Sequence, residues 1–340
     1  MPDFTTADAL LLILRVAHKR LAGVLLRLRR EAIADSLVGR WTIRYFEERL
    51  ALAAKAIAEV SGEVLGPAGE FGVAGQAAEA SYGVGLLIGT KSLTEQGVED
   101  LPPPDFEDMH NPAMRLIAQE MTDGFDGMYQ AILREERDDY RRIQGHFTQV
   151  AMATGQTGDE LTGRLVNEFI GRTQGGRLIL PGGTRNWRIE DYADMLSRTV
   201  SAKATREASL NRITECGHDL ALVIGGRIEL TCDTCLWADG RVFSISGETE
   251  KPEQMPDETW GGPLELIKVE RSAERDRILS RYHKRRIKNS PPVAHPRCIH
   301  SFAAYVAEQT PEEQRERLRV ALEAYATKAG LDIATGGQPA

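Results

Sequence analysis

The sequence predicts an α+β protein in which a mostly helical N-terminal part precedes a C-terminal domain built on a small sheet. Two observations carry this. Apolar residues recur at helical spacing through the first half, and short β-branched runs set off by glycines begin near residue 220. Four segments follow: a helical partner-docking region with a glycine-rich linker over 1–100, a helical middle segment over 101–175, an α+β domain over 176–310, and a terminal helix and tail over 311–340.

Taken in order, Leu10, Leu14, Leu21, Leu25 and Leu28 form one stripe of a first helix, and Arg15, Lys19, Arg20, Arg27 and Arg30 fill other faces. A second helix spans 41–60, with Ile43, Phe46, Leu50, Ala53 and Ile57 aligned. Residues 62–89 hold eight glycines. They match no phosphate loop or dinucleotide fingerprint, and both a mobile linker and close helix packing fit them. Pro102, Pro103 and Pro104 stop any helix. Asn111-Pro112 opens the next one, over 113–150, with an expected break near Gly124–Gly127, and a short helix follows over 157–171.

From Gly175 the texture changes. Arg177–Leu180 reads as a strand, and Asn186 as the cap of a helix over 187–212. Leu220–Ile224, Arg227–Leu230 and Arg241–Ile245 read as strands, with a hairpin at Gly225-Gly226. Residues 251–262 read as loop, 264–288 as mostly helix, and Thr310-Pro311-Glu312-Glu313 as the start of a last helix.

Composition narrows the class. A net charge of -8 with pI near 5.5 excludes a basic nucleic-acid coat. The apolar run Ala9–Leu14 is closed by Asp8 and Arg15, and Leu21–Leu26 by Arg20 and Arg27. Neither reaches the roughly 20 residues needed to cross a bilayer, so a soluble, unsecreted protein with no membrane contact is expected. Four cysteines without a regular framework fit a reducing compartment.

Three of those cysteines fall in two motifs, Cys232-x2-Cys235 and His295-Pro296-x-Cys298-x-His300. Three thiols and an imidazole close a tetrahedral zinc shell, and two-residue gaps let both members of each pair face one ion. Cys232, Cys235, His295 and Cys298 are therefore the expected ligands of a structural zinc that pins the domain, with His300 in reserve. Buried thiols packed as small hydrophobes are the alternative. No His-x-Glu precedes a Pro-Cys-x2-Cys, and no His-Glu-x2-His occurs, so a closed structural ion and no enzymatic activity are expected.

Residues 268–288 carry nine basic side chains against three acidic ones, a net of +6. Arg281, Lys284, Arg285, Arg286 and Lys288 are its candidate DNA contacts, of the kind that grip phosphate without reading sequence. A solvated charged face accounts for the run equally well.

With these motifs placed, the chain resembles the phage minor capsid protein 2 family and is similar to the Mu F-type minor head proteins. The likeness lies in Tyr192-Ala193-x-Met195-x2-Arg198-Thr199, in Cys232-x2-Cys235 running through Trp237–Gly240 into Val242–Gly247, and in His295-Pro296-x-Cys298-x-His300, over roughly residues 175–305. Arg297 and Ile299 stand where that family commonly has Asn and Arg. The resemblance implies a structural protein of the virion, made in the host cytoplasm and lodged inside the capsid near the portal vertex. It implies portal and major capsid proteins as partners, and roles in head assembly and in genome packaging or delivery. A metal-dependent hydrolase or nuclease carried in the particle is the alternative function.

Overall fold

The computed structural model describes residues 5–37, 43–67, 70–154, 177–179, 186–225, 232–268, 277, 298 and 300–306. The chain forms two compact units, each assembled from separated segments. One comprises Met1–Ala9, Gln76–Ala118 and Arg198–Ala340, the other Leu10–Gly75 and Gln119–Ser197. The expected helices over 157–171 and 311–329, the strand Arg227–Leu230 and nearly all of the basic run 268–288 lie outside the described residues.

The second unit is helical, apart from a short hairpin. Helix α1 (Thr5–Leu37) and helix α2 (Ile43–Leu65) bury the expected stripes: Leu14, Leu21, Leu25 and Leu28 on α1, Ala53 and Ile57 on α2. Against them lies α4 (Asn111–Thr154), which buries Met121, Phe125, Met128, Tyr129 and Ile132. The expected break at Gly124–Gly127 does not occur. Glycine weakens a helix by about 1 kcal/mol without forbidding it, and burial of Phe125 between the two glycines and of Met128 after them outweighs that cost. Gly124 also makes room for the Leu196 side chain, whose Cδ1 would stand 3.0 Å from an added Cβ.

Two buried polar sets lock α1 to α4. Arg29 donates from Nε to Glu136 Oε2 at 3.2 Å and pairs with Asp139 at 3.2 Å. His18 donates from Nδ1 to the Leu14 carbonyl at 2.6 Å and accepts the Tyr129 hydroxyl on Nε2 at 2.8 Å. Burial drives the His18 pKa down from 6.5 to about 4, because this arrangement suits only the neutral ring.

The first unit holds the sheet. Its α3 (Val73–Thr94) is a helix, which decides between the two readings of the glycine-rich stretch. Gly85 and Gly89 face α5 (Ile189–Glu215). A Cβ on Gly85 would collide with the Thr205 carbonyl oxygen and lie 2.7 Å from Ala208 Cβ, and one on Gly89 would lie 2.9 Å from the Ser209 carbonyl oxygen. The Thr205 hydroxyl donates to the Ser81 carbonyl at 3.0 Å across the same seam. The hairpin β1 (Arg177–Ile179) and β2 (Asn186–Arg188) precedes α5. Asn186 is thus in a strand, and the helix begins at Ile189: pairing with β1 takes the residues expected to cap it.

The sheet runs β5-β4-β3-β6, formed by β3 (Leu220–Ile224), β4 (Val242–Ser244), β5 (Trp260–Pro263) and β6 (Ser301–Ala304). Strand β3 pairs antiparallel with β4 and β6, and β4 pairs parallel with β5, so the sheet is mixed. β5 lies in a stretch expected to be loop, and β6 has no counterpart among the expected strands. Glycine and proline dominate β5, and Ser301–Ala304 has no β-branched residue, so neither shows a strand's composition. Between the edge strands, Ala221, Leu222 and Val223 of β3 are wholly buried. Ser209 on α5 donates to the Phe302 carbonyl at 2.8 Å, and the Ser92 hydroxyl on α3 accepts the Ala304 N–H at 3.0 Å, so both helices grip β6.

This packing can be tested by substitution. Gly85→Val should destabilise the protein by about 1–3 kcal/mol through overpacking, whereas Gly127→Ala, with nothing within 4 Å of its added Cβ, should stabilise it by about 0.5–1 kcal/mol. Thermal melts of the two variants moving in the same direction would contradict the seam. As for pH, the folded pKa of His18 lies below its ordinary 6.5. Its contribution, ~3 kcal/mol at full size, is present above pH 6.5 and is lost as pH falls towards about 4. Between pH 6.5 and 5, where carboxylates have scarcely begun to protonate, urea midpoints of the wild type should fall and those of His18→Phe should stay nearly flat.

Candidate metal centre

The first cysteine motif opens a single helical turn and a half, α6 (Asp233–Ala238). Cys232 is the N-cap, in extended backbone, and its Sγ accepts the Cys235 N–H at 3.4 Å. This is the ordinary use of an N-cap side chain, with sulfur in place of oxygen. It also turns Cys232 and Cys235 to one side of the turn. Trp237 anchors α6 by packing edge-on against Phe243 at 5.8 Å, with the Arg241 guanidinium 5.0 Å over the indole. The second motif arrives from the other end of the chain. Cys298 and His300 stand directly before β6, whose pairing with β3 fixes where they lie.

Cys235, Cys298 and His300 converge: one ligand atom from each lies within 4.8 Å of the other two, and all three residues are buried. Cys235 Sγ and Cys298 Sγ are 3.8 Å apart, and Cys298 Sγ is 3.9 Å from His300 Nδ1. A tetrahedral ion with metal–sulfur bonds of about 2.3 Å and metal–nitrogen bonds of about 2.0 Å has ligand–ligand edges of roughly 3.5–3.8 Å. Two edges of the cluster, at 3.8 and 3.9 Å, are close to that size, the third lies within 4.8 Å, and all four cysteines of the chain are free. The residues present therefore fit a soft divalent cation such as zinc. Of the His300 ring nitrogens it is Nδ1 that faces the Cys298 thiol, while Nε2 is buried and finds no partner among the described residues.

Backbone shape makes room for that imidazole. A Cβ on Gly225 would stand 2.7 Å from His300 Cγ and 2.8 Å from Nε2, so only glycine lets the ring lie against the end of β3. Hydrogen bonding with Cys232, then with Cys298, then burial raise the Cys235 thiol far above its ordinary value. Without a cation the thiol keeps its proton.

Of the expected ligands, the structure brings Cys235, Cys298 and the reserve residue His300 together, and it holds Cys232 beside Cys235. His295 and the candidate DNA contacts Arg281, Lys284, Arg285, Arg286 and Lys288 lie outside the described residues. Two residues at the centre have no signature in the motifs. Gly225 reads in the sequence as a hairpin residue. Arg206 lies on α5, with its Nη1 donating to the carbonyls of Cys298 at 3.4 Å and His300 at 3.2 Å. Its signal is the crowd of small residues around it (Ser201, Ala204, Ala208, Ser209), typical of a helix packed on several sides, where even an arginine must be buried.

Fold and cluster together define a mostly helical α+β protein with a small mixed sheet and a candidate Cys/His metal centre. The chain belongs to the phage minor capsid protein 2 family, whose model matches residues 93–331. The match reaches well beyond the motifs that carried the resemblance, into the helices ahead of residue 175. It makes this a structural phage protein, located in the virion and in contact with other virion proteins. No curated protein and no solved structure matches the chain. Among the described residues, no helix is long and apolar enough to cross a membrane.

Burial orders the thiols. In metal-free protein, brief alkylation followed by mass spectrometry should label the half-buried Cys216 and Cys232 well before Cys235 and Cys298. Equal rates at all four would mean that the cluster is open to solvent.

Proposed function

We propose that the protein is a portal-proximal minor capsid component that acts in head assembly and in genome packaging or delivery, with its C-terminal domain closed by one structural zinc. Family membership supports the capsid role, and the convergence of Cys235, Cys298 and His300 supports the zinc. Cys232, Cys235 and Cys298 supply three thiolates. An imidazole completes the shell: His300, which faces the thiols, or His295, which the His-Pro-x-Cys spacing offers. Four protein ligands leave no open position for water or substrate, which is the arrangement of a structural ion. Bound there, zinc would supply cohesion alone, by tying the N-terminus of α6 to the start of β6.

The N-terminal helices are the part proposed to grip the portal or the major capsid protein. Residues 1–92 precede the family match, and Leu12, Ile13 and Val16 leave apolar surface exposed on α1. The basic run around Arg281–Lys288 is proposed to touch packaged DNA without reading its sequence.

An asymmetric reconstruction of the intact particle should place the chain against the portal, and density distributed over the shell instead would overturn the location. Purified protein should carry one zinc per chain. Cys235→Ser and Cys298→Ser should each lose it and lower the melting temperature. His300→Ala and His295→Ala should separate the two imidazoles, because only the true ligand releases zinc. Alanine at Arg281, Lys284, Arg285 and Arg286 should weaken DNA retention alike for all sequences. It should also flatten the salt dependence by about 0.9 in log–log slope for each phosphate no longer neutralised.

A further inference from the structure

Arg206 is a buried cation with no carboxylate in an ion pair with it among the described residues. It is only 2% exposed. One terminal nitrogen, Nη1, reaches the Cys298 and His300 carbonyls. Nε and Nη2 find no hydrogen-bond partner among the described residues. Burial pulls its pKa down from the ordinary value, opposed by Cys298, Glu207 and Cys235, yet a guanidinium remains charged in proteins. Glu207, the carboxylate among these, is already engaged by Lys268 at 2.8 Å. Carbonyl dipoles alone repay little of what it costs to take a full charge out of water. A buried charge of this kind is retained where an opposite charge stands near it. Among the described residues, the groups able to become that charge are the cysteine sulfurs.

Coordination turns them into it. When a divalent cation displaces the thiol protons of Cys232, Cys235 and Cys298 to solvent and takes one neutral imidazole, the core keeps a single net negative charge. One guanidinium balances it. We infer that Arg206 is the outer-sphere positioning cation of the metal centre: it neutralises an anionic three-thiolate core and, through the Cys298 and His300 carbonyls, holds the ligand-bearing segment in place. This rests on the zinc centre proposed above, and it holds whichever imidazole completes the shell. It also specifies the ion as a soft divalent metal bound by three thiolates. A core of two thiolates and two neutral imidazoles would be neutral and would leave Arg206 unbalanced.

The test is zinc affinity of the full chain, measured by competition with a chromophoric chelator. Arg206→Met should weaken zinc by about 10–100-fold, the usual scale for outer-shell partners, and Arg206→Lys, which keeps the charge, should recover most of it. In a Cys232→Ser background the core is neutral, so adding Arg206→Met should then cost almost nothing. If Arg206→Met does not fold, Arg206→Gln, which keeps a donor for the carbonyls and removes the charge, carries the same comparison. Unchanged affinity in the folded neutral variant, or an equal loss with and without Cys232, would mark Arg206 as a packing residue and overturn the inference while zinc binding stands. A wild-type chain that takes up no zinc would overturn the zinc centre and the inference together.

Discussion

Helices α3 and α5 meet at backbone distance, and the sheet-bearing unit depends on that approach. With no side chain at Gly85 or Gly89, the carbonyls of Thr205 and Ser209 sit where a Cβ would otherwise be. Fixing α5 there sets the height of every residue it presents to the sheet. Ser209 reaches the Phe302 carbonyl, and Arg206, three residues earlier, reaches those of His300 and Cys298. Ser92 of α3 and Gln96, in the turn that follows it, hold the far end of the same strand through Ala304 and Val306. A strand with little intrinsic preference for β structure is thereby held on both sides, and its leading residues become part of a site.

The site combines two kinds of order. Local order comes from α6, where one helical turn presents Cys232 and Cys235 together and an N-cap hydrogen bond to sulfur keeps them so. Long-range order comes from β6, which carries Cys298 and His300 to within 4.8 Å of Cys235 across more than sixty residues of chain. An ion held by both pairs, as proposed, would tie a local pair to a distant one and add its binding energy to the stability of the fold. The same geometry buries the Cys235 and Cys298 thiols close to the Arg206 guanidinium, the juxtaposition on which the role proposed for Arg206 rests.

Membership in the phage minor capsid protein 2 family places the protein in the virion, and the structure shows what kind of building material it is. One unit is a packed set of helices pinned by the buried Arg29–Glu136 pair and the His18–Tyr129 hydrogen bond. The other is a helix-clamped sheet with a candidate metal centre. A charged pair taken out of water punishes the loss of either partner severely, so such a pin favours one arrangement of helices over its near alternatives.

Much was legible in the sequence because it rests on local rules. Helical periodicity located α1, α2 and α4, three prolines marked a helix stop before residue 105, and β-branched runs located β3 and β4. The motifs contained Cys235, Cys298 and the reserve residue His300, which the structure brings together. What the sequence left open depends on neighbours far along the chain. Periodicity cannot say whether a glycine run is a linker or a seam, because the answer lies in α5, more than a hundred residues on. Gly124 did not break α4, because burial of Phe125 outweighs the propensity cost. β5 and β6 are strands by pairing and not by composition, and Asn186 joined a hairpin instead of capping a helix. Arg206 and Gly225 acquired their roles only when β6 came to lie beside β3. Residue types and short spacings determined which groups were available for a centre. Tertiary packing alone decided which of them meet, since a hydrogen bond or a buried charge has a partner only once the chain has closed on itself.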